Sequence, residues 1–80
     1  MTRFKRLTIN GLKHIYSFNT LDGEGTFSIS SADFSLQLIE KKCYLENQEM
    51  DQDNLNKILF IGKKKIIENN FPESCIYATH

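Results

Sequence analysis

Between residues 4 and 30, apolar and polar side chains alternate, and glycine-bearing turn signals cut that alternation twice. A period of two sorts side chains onto the two faces of an extended strand, whereas an amphipathic helix needs a period near 3.6. Residues 4–9 set Lys5, Leu7 and Ile9 against Phe4, Arg6 and Thr8. Asn10-Gly11 follows and predicts a type I′ hairpin turn. Residues 12–18 resume with Leu12, His14, Tyr16 and Phe18 on one face and Ile15 opposite. Asp22-Gly23-Glu24-Gly25 is a second turn cluster, after which residues 26–30 alternate again with Phe27 and Ile29 inward. Strands joined by short turns make an antiparallel meander, and one of its faces must be covered.

The cover is sought further along the chain. Ser30, Ser31 and Asp33 carry helix N-cap chemistry, and a helix from about Ala32 to Cys43 would group Ser35, Leu36, Ile39 and Cys43. Phe34, Leu36 and Leu38 also alternate, so residues 34–46 read as helix or as strand. The next helix is clearer. Asp51 or Asp53 caps it, and Leu55, Ile58, Leu59, Gly62 and Ile66 recur at helical spacing. Lys63, Lys64 and Lys65 fall in its later turns, Asn70 ends it, and Pro72 cannot continue it. Gly62 costs about 1 kcal/mol against Ala in mid-helix, so close packing on the sheet is its expected reason. Ser74 to Thr79 predicts a last short strand. The expected fold is therefore α+β, in the order β-β-β-α-α-β. An antiparallel sheet of three to four strands carries two helices packed on one face. A chain of 80 residues makes this one domain, residues 1–80.

Charge is balanced overall but segregated along the chain. Residues 1–20 hold Arg3, Lys5, Arg6 and Lys13 with no acid, and residues 21–40 hold Asp22, Glu24, Asp33 and Glu40 with no base. Glu46, Glu49 and Asp51 extend the acidic side. A formal net charge of zero argues against strong non-specific binding of polyanions. It also removes long-range self-repulsion, so association with another protein or a homodimer fits. Only Cys43 and Cys75 are present, too few for a disulfide framework. The first ten residues lack the apolar core of a signal peptide, and no apolar run is long enough for a membrane span. A cytoplasmic location is expected.

Catalytic chemistry finds little support. His14, Cys43, Cys75 and His80 are scattered singly, without the spacing of a metal site, and no cofactor is expected. Asp22-Gly23-Glu24-Gly25 is neither a calcium loop nor a phosphate loop. Cys43 follows two lysines, which would favour its thiolate, but it sits on the predicted apolar face.

Leu21-Asp22-Gly23 running into Thr26-Phe27-Ser28-Ile29-Ser30, the apolar Leu55, Ile58 and Ile66, and a closing Cys75-Ile76-Tyr77-Ala78-Thr79 together resemble a small bacterial family labelled domain of unknown function 1488. That resemblance is one of residue types across most of the chain, and it implies a fold and no mechanism. The reading reached is a small protein-binding module of adaptor, immunity or inhibitor type. Its expected contacts are Arg3, Lys5, Arg6 and Lys13 on the basic side and Glu46, Glu49 and Asp51 on the acidic side. The competing reading is single-stranded nucleic acid, with Tyr16 and Phe18 as stacking platforms among the cations.

Overall fold

The computed structural model describes residues 1–44 and 51–77. The first three expected strands are present as β1 (Thr2–Asn10), β2 (Lys13–Asn19) and β3 (Gly23–Ser30). A fourth, β4 (Leu36–Cys43), stands where the expected order had its first helix. One helix, α1 (Gln52–Glu68), and a short β5 (Ser74–Tyr77) complete the chain. The strands form a five-stranded antiparallel sheet in the order β4-β3-β2-β1-β5. The α+β class and the antiparallel sheet agree with expectation. The described residues contain one helix rather than two, and the sheet is wider than expected.

The replaced helix has a local cause. Ser30, Ser31 and Asp33 do offer side-chain oxygens to the backbone, but they close a turn. The Asp33 carboxylate accepts from the Ser35 N–H at 3.0 Å, Ser30 Oγ accepts from the Ala32 N–H at 3.2 Å, and Phe34 takes a positive φ of 61°. Such groups stabilise turns and caps alike, so they could not choose between the two. The alternation of Leu36 and Leu38 then decides, because both reach the apolar face opposite Ile29 and Phe27.

The first hairpin is also displaced by one residue. Asn10 pairs with Lys13, which makes Gly11 and Leu12 the central residues, and of these only Gly11 has a positive φ, 62°. That is the pattern of a type II′ turn, with glycine in the first central position, rather than type I′. A bulge at Leu7 breaks the simple alternation of β1. Phe4 and Arg6 share the helix-side face with Ile9, while Lys5 and Thr8 share the other.

β4 finishes at one end of the sheet, and β5 must begin toward the other. A helix of 17 residues is about 26 Å long, close to the length of an eight-residue strand, so α1 makes this return in one pass. Asp51 caps its start, accepting from the Asp53 N–H. At its end, the Phe71 N–H bonds to the Ile66 carbonyl and the Asn70 N–H to the Ile67 carbonyl, the paired bonds of a Schellman cap. Asn70 suits the left-handed backbone there (φ 56°), and Phe71 adopts it as well (φ 54°).

The interior comprises Phe4, Tyr16, Phe18, Phe27 and Ile29 from the sheet and Leu55 and Ile66 from α1. Phe27 lies at its centre, with the rings of Phe4, Tyr16 and Phe18 at 6.2, 6.0 and 6.2 Å. Gly62 lies directly on Phe4. A Cβ at Gly62 would come within 2.5 Å of Phe4 Cε1 and 2.9 Å of Cζ. The Phe4 ring is fully enclosed and has nowhere to retreat. Gly62→Ala should therefore lower stability by about 1–3 kcal/mol, overpacking outweighing the roughly 1 kcal/mol gain in helix propensity. Urea denaturation of the two proteins measures this, and a stabilised variant would show that α1 does not seat on Phe4 as described.

Candidate interaction surface

Because strands alternate, the side of the sheet away from α1 is fixed once the interior is known. Cross-strand register arranges that open face in rows. One row reads Lys42, Glu24, Asn19, Arg3 and Ile76 from β4 to β5. The next reads Glu40, Thr26, Ser17, Lys5 and Ser74, and a third Gln37, Ser28, Ile15 and Thr8. Lys13 lies opposite Ser30 and Asn10 at the hairpin end.

The middle of this face is made of short side chains. Ser28 is buried and Ser17 and Thr26 half-buried, while Arg3 and Lys5 on one flank and Glu24, Glu40 and Lys42 on the other are exposed. The long side chains of β1 and β4 thus stand on either side of the short Ser17, Thr26 and Ser28. Lys5 and Glu40 sit three strand spacings apart, about 14 Å.

Of the residues expected to make contacts, Arg3, Lys5 and Lys13 share the open face. Arg6 does not: it points to the helix side, where its Nη1 donates to the Phe71 carbonyl at 3.1 Å. Tyr16 is wholly enclosed, and its hydroxyl donates to the Pro72 carbonyl at 2.5 Å. Together with the Arg6 N–H bonded to the Glu73 carbonyl at 2.8 Å, these bonds clasp the segment that leads from α1 to β5. Both residues are structural in position. Asp51 is the helix cap, and Glu46 and Glu49 lie outside the described residues. Phe18 is interior as well, so a base could stack on neither Tyr16 nor Phe18 without opening the core. Sequence reasoning passed over Glu24, Glu40 and Lys42 as contact residues. The signal for Glu40 and Lys42 was the alternation in residues 36–43, which only a strand reading uses.

Other features with chemical potential stay separate. Among the described residues, no three His, Cys, Asp or Glu side chains group as metal ligands would. Burial raises the pKa of Cys75, with Lys65 opposing it, which keeps the thiol protonated and unreactive. A cavity of about 360 Å³ opens between the first half of α1 and the start of β1, walled by Phe4, Ile58, Ile61 and Tyr77 and edged by Asp22 and Lys57. Among the described residues, no helix is long and apolar enough to cross a membrane.

His14 lies against Phe71 with ring centroids 4.4 Å apart, and its Nδ1 is buried without a hydrogen-bond partner. Desolvation, and then the positive charge of Arg6, hold its pKa below the ordinary 6.5. The unfolded chain therefore binds more protons than the folded one as pH falls through about 6.5, and folding loses stability there. Asp33, with its pKa lowered by the Ser35 N–H, loses its contribution only in more acidic solution, below 3.8. Stability to urea should fall between pH 7 and pH 5, and His14→Phe should flatten that part of the profile. An unchanged slope in the variant would show that another group is responsible.

Comparison with family models, with curated proteins and with solved structures yields no match to this chain.

Proposed function

We propose that this chain is a small protein-binding module, of adaptor, immunity or inhibitor kind, that meets its partner on the open face of its sheet. The observation that carries this reading is the division of labour between the two faces. The large rings of β1 to β3 are consumed under α1, while among the described residues no element covers the opposite face, which displays charge in register-fixed rows. Small side chains along its middle admit the side chains of a partner. The charged flanks supply orientation and a faster encounter, which is what opposite charges across an interface do best.

Arg3 and Lys5, with Lys13 beyond them, form the basic flank and favour a partner surface bearing carboxylates. These side chains are exposed, so reversing them leaves the interior intact. The immobilised chain should retain its partner from a lysate of the source cell, and R3E/K5E should retain at least about tenfold less in 0.1 M salt, where such charges are incompletely screened. The difference should shrink in 1 M salt. Equal retention by the two proteins would remove the basic flank as the binding surface.

A further inference from the structure

Among the described residues, the outer edge of β4 has no strand beside it, since β4 ends the order β4-β3-β2-β1-β5. Which of its backbone groups face outward follows from its inner partner. The Tyr44 N–H bonds to the Asp22 carbonyl at 2.9 Å, and the Ser30 N–H bonds to the Ser35 carbonyl at 3.0 Å. Antiparallel pairs alternate between bonded and non-bonded. Counting in from these two ends, and allowing for the bulge beside Thr26, Lys42 and Glu40 spend their backbone groups on β3. Leu36, Leu38, Lys41 and Cys43 turn theirs outward.

An exposed edge of this kind recruits another strand unless charge or a bulge prevents it. β4 has both, in Lys41, Lys42 and the bulge at Ile39. It also has Glu40, two positions from Lys42 and on the same open face. In a two-fold antiparallel pairing, each residue meets the one equally far beyond the axis. An axis at Lys41 sets Glu40 of each copy opposite Lys42 of the other, twice over. Both contacts are then non-bonded pairs, in which side chains come closest. Axes at Glu40 or Lys42 set like charges face to face as the Lys41 axis does, but without the two Glu40–Lys42 contacts that offset them. An axis at Leu38 runs Leu36 into the bulge, and one at Cys43 carries Lys41 past the end of the strand.

We propose that two copies of this chain pair antiparallel along β4 about an axis at Lys41, joining their sheets into one through reciprocal Glu40–Lys42 contacts. The two Lys41 side chains meet on the helix side, where they are exposed and able to splay. Pairing does not depend on what the open face binds, and it would present two copies of that face side by side.

Sedimentation equilibrium of the whole chain tests this, with circular dichroism confirming that each variant is folded. The wild type should show a concentration-dependent dimer. E40K should weaken it at least about tenfold, since both contacts become repulsive. E40K/K42E, which exchanges the charges, should restore it relative to E40K. Lys41→Ala should tighten it by relieving the contact at the axis. A folded wild type that stays monomeric at millimolar concentration overturns the proposal. So does a dimer indifferent to E40K, or a folded double variant no more associated than the single one.

Discussion

The contact of Phe4 with Gly62 fixes how far α1 stands from the sheet. A helix whose side chains all had a Cβ could not come this close to a phenylalanine ring at the centre of a strand. With glycine there, the ring is sealed from above by helix backbone and from the side by Phe27. The remaining rings then close around Phe27, and no aromatic side chain of β1, β2 or β3 is left over for the opposite face. A second glycine repeats the device within the sheet. The Phe18 ring lies across Gly25, where a Cβ would meet its Cζ at 2.5 Å.

That economy shapes what the surface can offer. A chain of this size has little apolar area to spare, so the face away from α1 is furnished with serine, threonine and charge. Register, rather than proximity in sequence, then decides which charges act together. Arg3 and Lys5 stand beside Ser17 and Asn19, and Glu24 stands opposite Lys42. Arg6, between them and the hairpin in sequence, is turned to the other side and spent on the chain that leaves α1.

Much of this was legible in the residues themselves. The meander from β1 to β3, the inward Phe27 and Ile29, the Asp51 cap and the tight seat of Gly62 all follow from periodicity, turn chemistry and glycine geometry, while the helix ends at Glu68, two residues before the expected Asn70. What failed did so where one local signal serves two structures. Ser30 and Asp33 cap a helix or close a turn with the same oxygens, and only pairing with β3 makes Leu36 and Leu38 a strand. The Leu7 bulge was equally invisible, because a single inserted residue leaves no mark on composition. Arg6 and Tyr16 were misplaced for a different reason. Their partners, Phe71 and Pro72, lie 65 and 56 residues away, and no local pattern announces such a contact.

The clasp on Phe71 and Pro72 bears on how the molecule comes into being. β1 is flanked on one side by its immediate successor, β2, and on the other by β5, about 70 residues further along the chain. β1 keeps one flank bare until Ser74–Tyr77 pair with it, and the Tyr16 hydroxyl lacks its Pro72 acceptor until that segment is in place. Folding of the full sheet is thus governed by contacts of high sequence separation and is correspondingly slow.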